Sequence, residues 1–287
     1  MNKPTIIITG ANGFIGECLV KHFHEMGWRI KAFVHKIPLN VSADIEYVEY
    51  KIEKKPDEKL FAGADYLVHC AYQRYEKHNH SYEININGTE ELISLCRKNN
   101  VKMLFMSSFS AHSSAESHYG KTKLACEQLF DLSKDIVFKT GFVIGKKGLS
   151  GEMINRIKTS KFFPLVGGGG QPIQTIYIDD LCMLIEKVFL ENKSGLFHIA
   201  EVEAVSMKEF YSEIAYQLNK KLIFIPVSIS FLLFVCRSGE KLKIKLPVSS
   251  ESVLGLKHLI KFDTKGDLNK LGVRIRTYKE SLEVLNH

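Results

Sequence analysis

Nowhere in this sequence do two cysteines stand close enough to share a metal ion or close a short disulfide loop. The six fall at 18, 70, 96, 126, 182 and 236, with no C-x-x-C pair in 287 residues. That spacing excludes a zinc ribbon and a disulfide framework, and reads as reduced, mostly buried thiols in the cytosol. Long apolar runs are missing too. The longest, Leu222 to Cys236, is interrupted by Pro226 and by serines, and falls short of the roughly 20 residues that a bilayer span needs. Ile6 to Ile8 is too short for the apolar part of a secretion signal, and no cleavage site follows. A soluble, cytoplasmic protein without a membrane span is expected. Charge is not strongly one-sided: 39 Lys and Arg against 32 Asp and Glu leave +7, which favours anionic ligands without requiring nucleic acid. His78 and His80 lack partner ligands at metal spacing, so no metal site is expected.

What is present begins at the N-terminus. The β-branched run Thr5 to Thr9 stops at a glycine, and Gly10, Gly13 and Gly16 follow three apart. Cys18, Leu19, Val20 and Phe23 then recur at helical intervals. A strand feeding a glycine turn that opens a helix is how α/β proteins hold a pyrophosphate: glycines let the backbone approach, and the helix end offers unpaired N–H groups. Gly10, Asn12, Gly13, Phe14, Ile15 and Gly16 are therefore candidate cofactor-binding residues. Their spacing is one residue longer than the usual dinucleotide fingerprint.

A second strand reads from Arg29 to His35, and its end is where such folds select their cofactor. Val34, His35 and Lys36 stand there, with no carboxylate before Asp44. A base without an acid accommodates a 2′-phosphate, so the selector leans toward NADP, with NAD still open. Val48 to Ile52 suggests a third strand, and Ala64 to Ala71 a fourth whose small terminal residue Ala71 lets a cofactor lie close. His69 reads as a packed strand-end histidine and Tyr72 to Tyr82 as a loop. A helix carries Asn85 to Cys96, and a fifth strand, Lys102 to Ser107, ends in serines. Tyr119 and Lys123 follow, four apart and so on one helical face. A phenol near pKa 10 is a poor acid or base at neutral pH unless a cation stabilises its anion, which a lysine one turn away can do.

Together these stretches resemble the extended or closely related atypical branch of the short-chain dehydrogenase/reductases, the NAD-dependent epimerase/dehydratase family. The resemblance runs through Thr-Gly-Ala-Asn-Gly-Phe-Ile-Gly at 9–16, Val-His-Cys-Ala at 68–71, Asn-x-x-Gly-Thr at 85–89, Ser-Ser at 107–108 and Tyr-Gly-Lys-Thr-Lys at 119–123. It continues through 139–145, the glycines at 167–170, Ile-Tyr-Ile-Asp-Asp at 176–180 and Leu-Asn-Lys-Leu-Gly-Val at 268–273. It implies a Rossmann-type doubly wound parallel sheet over 1–145, with a chain return at about 174–200. A smaller C-terminal α/β substrate lobe is implied over 146–173 and 201–287. It implies Ser108 as polariser, Tyr119 as acid/base and Lys123 as the residue that lowers the tyrosine pKa and binds the nicotinamide ribose, with Asn85 in a structural or relay role. A nucleotide sugar substrate and a homodimer formed through the helices bearing Tyr119 and Leu92 to Cys96 follow from the same likeness.

The departures narrow the chemistry. Dehydratases of this group carry an Asp-Glu pair after the catalytic hydroxyl, where this chain has Phe109-Ser110, and the stretch from Ser108 to Tyr119 is short. Reduction of a keto group on a nucleotide-linked sugar is the expected reaction. A 4-epimerase with tightly held NAD, or a non-catalytic dinucleotide-sensing or scaffold protein, are the alternatives. Arg156, Lys158 and Lys161 lie where family members grip a diphosphate. Met207 to Leu218 has a helical apolar face, and Ile229 to Cys236 reads as an apolar helix packed as core or between lobes, with an oily lid over the substrate cleft as the alternative.

Overall fold

The computed structural model describes residues 3–76, 80–244, 246 and 248–286. His78, weighed above as a metal ligand, lies outside the described residues. In chain order the elements are β1 (Thr5–Thr9), α1 (Phe14–Glu25), β2 (Arg29–Val34), β3 (Ile45–Glu49), β4 (Tyr66–His69), α2 (Ser81–Lys98), β5 (Lys102–Ser108), α3 (His118–Glu127) and β6 (Ile136–Thr140). There follow β7 (Phe142–Ile144), α4 (Gly148–Thr159), β8 (Phe162–Val166), β9 (Pro172–Ile173), β10 (Thr175–Tyr177), α5 (Ile178–Leu190), β11 (Gly195–Ile199) and β12 (Val205–Ser206). The chain ends with α6 (Met207–Gln217), β13 (Ile223–Val227), α7 (Ile229–Lys241), α8 (Ser250–Lys257), α9 (Lys265–Leu271) and α10 (Tyr278–Asn286).

Two compact units divide these elements. The first comprises Met1–Ser107, Thr122–Lys139 and Ile178–Phe197, and the second Ser108–Lys121, Thr140–Tyr177 and His198–His287. The sequence reading put its first boundary at 145/146; by compactness the chain first changes unit at Ser107/Ser108.

A seven-stranded sheet in the order β11-β6-β5-β4-β1-β2-β3 organises the first unit. The pairs β1/β2, β2/β3, β1/β4 and β4/β5 are parallel. Ile6, Ile7 and Ile8 are all fully buried, as expected of a parallel strand covered on both faces. From β1 the chain goes first to β2 on one side and later to β4 on the other, so the strand order reverses between β1 and β4. Such a switch point opens a crevice at the carboxyl ends of the strands. The third strand starts earlier than its apolar residues suggest, because Ile45 pairs with Ile30, while Tyr50 and Ile52 enter the core beyond its end. Leu92, Ile93, Leu95 and Cys96 of α2 also belong to that core, so these side chains are unavailable to a dimer interface.

A polar network is enclosed at the ends of β5 and α3. Ser107 at the end of β5 donates to the Glu127 carboxylate at the end of α3, and the other Glu127 oxygen lies 2.9 Å from Lys139 Nζ on β6. All three residues are buried.

The second unit builds its core from short parallel pairs, β7/β10 and β8/β13, and the antiparallel pair β9/β12. Helix α6 starts at a capping box, in which Ser206 and Glu209 satisfy each other's backbone N–H groups. Its buried Phe210 and Tyr211 meet Phe142 and Phe163. Gln174 clamps the C-terminal segment: its Nε2 donates to Glu201 O and Phe262 O at 3.0 Å, and Phe262 N donates to its Oε1 at 2.8 Å.

Helix α7 corrects the expectation of core packing. Cys236 and Gly239 are buried on the side that meets α8, but Phe231 and Phe234 remain 63% and 68% exposed. Its apolar residues run right round the helix, and only one stripe of them finds a partner.

The buried ion pair gives a stability prediction. Glu127→Ala removes the buried carboxylate that Ser107 and Lys139 share, and should cost about 3–5 kcal/mol in urea unfolding. A cost below about 1 kcal/mol would show that the pair is relaxed or wet.

Candidate active site

The glycine turn lies at the switch point of the first unit. Gly10 has φ +68°, and a Cβ there would stand 2.8 Å from Ala71 N at the end of β4. A Cβ on Gly16 would collide with the Gly10 carbonyl oxygen. These positions exclude side chains because helix α1 begins against the ends of β1 and β4. Gly13 N donates to Gly10 O at 2.8 Å, and no side chain caps α1. The first-turn N–H groups of Phe14 and Ile15 are thus not claimed by a cap, an arrangement that fits a pyrophosphate.

Asn12 has a part that its place in the motif does not reveal. Its Nδ2 donates to the Lys36 backbone carbonyl at 2.8 Å, tying the glycine turn to the loop after β2. His35 and Lys36 are exposed on that loop, and Asn12 ties the backbone that bears Lys36 to the glycine turn.

A buried ladder braces the end of β4. Cys70 N and Ala71 N both donate to Thr9 Oγ1 at 3.2 Å, and Thr9 Oγ1 lies 2.7 Å from His69 Nδ1. His69 Nε2 meets Thr89 Oγ1 at 3.2 Å, and Thr89 donates to Asn85 O at 2.7 Å. Since the Thr89 proton goes to Asn85, His69 carries its own proton on Nε2 and accepts from Thr9 on Nδ1. Burial, and secondarily the charge of Lys123, push the His69 pKa down to about 3, so the ring is neutral at physiological pH. Asn85 is fully used by backbone: Oδ1 accepts from Gln73 N at 2.9 Å, and Nδ2 donates to Gln73 O at 2.9 Å and Ser81 O at 2.5 Å. It clamps the start of the loop after β4.

Lys123 is buried in this same unit. Its ammonium donates to Met106 O at 2.6 Å and lies 4.5 Å from the centre of the Phe105 ring. Burial lowers its pKa to about 8, against the opposing pull of Cys126, Cys70 and Glu127.

The hydroxyl pair belongs to the second unit. The Tyr119 phenol shares a hydrogen bond with the Ser108 side chain, and Ser108 Oγ also accepts from Ser110 N at 3.1 Å. Gly120 permits this approach, since a Cβ there would collide with Ser110 O and lie 2.9 Å from Ala115 Cβ. Gly120 N donates to Ser117 Oγ at 3.1 Å, and His118 N donates to Glu251 Oε2 at 2.6 Å. A carboxylate from α8 therefore sits at the N-terminus of α3, where it also complements the helix dipole. Tyr119 is 37% exposed as a whole residue, yet burial about its phenol group raises the pKa, and the Ser108 hydrogen bond offsets that only in part. The sequence reading expected Lys123 to lower the phenol pKa; burial acts in the opposite direction here.

Sequence reasoning named Ser108, Tyr119, Lys123 and the glycine-turn residues. It missed the Asn12–Lys36 link, the Glu251 cap and Glu127. Glu127 had a legible signal, standing four residues beyond Lys123 on the face that also carries Tyr119. Among the described residues, no group of three or more His, Cys, Asp or Glu could hold a metal.

Residues 6–200 match the sequence model of the NAD dependent epimerase/dehydratase family. UDP-N-acetylglucosamine 4,6-dehydratase (inverting) of Campylobacter jejuni is 22% identical over an alignment of 341 positions, covering 100% of this chain and 98% of that protein. MoeE5 in complex with UDP-glucuronic acid and NAD superposes with a TM-score of 0.75 at 18% identity, over 97% of this chain and 96% of that one. dTDP-4-dehydrorhamnose reductase from Bacillus anthracis, in complex with NADP, gives a TM-score of 0.70 at 21% identity, over 99% of each chain.

The lowered Lys123 pKa has a consequence for stability. Between about 8 and the ordinary lysine value of 10.5, the unfolded chain binds more protons at this residue than the folded one. Stability should therefore gain a rising contribution as pH increases through that window. Urea unfolding of wild type and Lys123→Met from pH 7 to pH 10 should show the gap between them shift in favour of wild type; a gap independent of pH would overturn the assignment.

Proposed function

Because this chain belongs to the NAD dependent epimerase/dehydratase family, we propose that it is a reductase acting on a keto group of a nucleotide-linked sugar, with NADPH as the reductant. The observation that carries this reading is the hydrogen bond that the Tyr119 phenol shares with the Ser108 side chain. A reduction consumes a proton at the carbonyl oxygen, and a protonated tyrosine beside a serine hydroxyl is equipped to deliver it. Phe109 and Ser110 stand where elimination of water would need an acid/base pair, which argues against dehydration.

With the pyrophosphate of the dinucleotide at the glycine turn, its reduced nicotinamide would supply the hydride that becomes the new C–H bond. Ser108 donates a hydrogen bond to the carbonyl oxygen and polarises it. Tyr119 transfers its proton to that oxygen as negative charge develops, leaving a phenolate that is reprotonated from solvent. Lys123, one helical turn further along α3, contributes positive charge below its pKa of about 8 and is the residue for a ribose hydroxyl. Gly10, Gly13, Phe14, Ile15 and Gly16 would hold the pyrophosphate, with Ala71 leaving room beside it. His35 and Lys36 would face the 2′-phosphate, kept in place by Asn12. NADPH suits an enzyme that exchanges its cofactor each turnover.

Two experiments test the reading. Purified protein given NADPH and a panel of 4-keto nucleotide sugars should consume the reduced-nicotinamide absorbance. Tyr119→Phe should lower that rate by about 10²- to 10⁴-fold while leaving dinucleotide binding intact. No consumption by wild type, with NAD retained through purification, would instead favour a 4-epimerase. For the cofactor, Lys36→Glu should weaken NADPH relative to NADH by about 10- to 100-fold, as expected on losing a charge-assisted hydrogen bond; an unchanged ratio would exclude Lys36 as the selector.

A further inference from the structure

The positive charge of the chain is unevenly placed. The second unit holds 20 Lys and Arg against 12 Asp and Glu, a net of +8, whereas the first holds 19 against 20. The +7 excess therefore lies wholly in the second unit. Its most one-sided stretch runs from Ile214 to Ser250, with six Lys and Arg and a single acid, Glu240. That acid is engaged with α8, accepting from Ser250 N at 2.7 Å and Ser250 Oγ at 2.8 Å.

Helix α7 lies within this stretch, and its outer face combines two unusual properties. Phe231 and Phe234 are mostly exposed, and the turn that follows adds Leu242 at 69% and Ile244 at 55%. Arg237 and Lys241 stand three and seven residues after Phe234, within one stripe. Ser230, Leu233, Phe234, Arg237, Ser238 and Lys241 line an open groove along that stripe. The inner face is fixed: Cys236 Sγ contacts Val248 O at 3.4 Å, and a Cβ on Gly239 would lie 2.6 Å from Leu246 Cδ1. The phenylalanines thus cannot turn inward without unpacking α7 from α8.

We propose that this face docks the protein on the surface of an anionic lipid bilayer. Exposed aromatics set among cations, with serines between them and no acid among the residues that line the groove, are the composition of a helix lying in the headgroup region. There, apolar side chains enter the acyl boundary while Lys and Arg meet lipid phosphates. Charge decides against a second copy of this chain. A two-fold dimer would set this cationic patch against a second like-charged one, and Glu240, the one acid of α7, is already engaged with Ser250. Among the described residues no helix is long and apolar enough to cross a membrane, so the association is with the surface. The proposal does not depend on the reductase reading.

The test is flotation of the full chain with vesicles of phosphatidylcholine alone and of phosphatidylcholine mixed with phosphatidylglycerol. The protein should float with the mixed vesicles at least about tenfold more strongly than with the neutral ones, and raised salt should weaken it. Phe231→Ser with Phe234→Ser should reduce binding at least about tenfold. Arg237→Glu with Lys241→Glu should reduce it by about fivefold or more per charge. Thermal unfolding should be little changed, because these side chains are exposed. No preference for anionic vesicles overturns the proposal. So does a concentration-dependent dimer, seen by sedimentation and abolished by the phenylalanine pair, in a protein that does not float.

Discussion

Backbone crowding at the switch point is the constraint on which the rest of the first unit depends. Helix α1 starts so close to β1 that a single methyl group on Gly16 would strike the Gly10 carbonyl, and one on Gly10 would meet the backbone at Ala71. That closeness leaves the first turn of the helix uncapped at the strand ends and fixes the heights of β1 and β4 relative to each other. The Thr9 hydroxyl reinforces the same junction by accepting from two successive N–H groups after β4. The glycine turn and the central strand pair are one object.

The hydroxyl pair of the second unit depends on a similar economy of space. Gly120 lets the first turn of α3 touch the loop after Ser108, and Glu251 anchors that turn from α8. Tyr119 is thereby set against Ser108 by backbone contacts on either side of it. Further along α3, Glu127 locks the helix end to β5 and β6 through Ser107 and Lys139. The helix is pinned at both ends by carboxylates, one reached from α8 and one of its own.

Much of this was legible in the sequence because it is local. A β-branched run into spaced glycines, and a tyrosine and a lysine on one helical face, declare themselves within a few residues. What escaped was encoded across distance. Glu251 lies 133 residues from the N–H it caps, and no spacing rule connects them. Asn12 was read as part of the phosphate turn, yet its amide serves the loop after β2, because side-chain direction is settled only once two strands are adjacent. The phenol of Tyr119 was expected to be lowered by Lys123; burial raised it, a solvent-exclusion effect that sequence spacing cannot express. Helix α7 misled for the converse reason. Apolar residues all round a helix suggest burial, but only one stripe of it has a neighbour to bury against.

The ladder through His69 has a property that its separate distances do not convey: it runs one way. The two N–H groups after β4 donate to Thr9, Thr9 to His69, His69 to Thr89, and Thr89 to the carbonyl of Asn85. Its direction is set at both ends by backbone groups that cannot exchange donor for acceptor. The Thr9 hydroxyl cannot turn round without stranding His69, and the imidazole cannot change tautomer alone. Bonds aligned in this way polarise one another. The residue type best known for switching with pH is here held out of titration and made into a fixed dipole, joining the strand end beside the glycine turn to the helix that clamps the neighbouring loop.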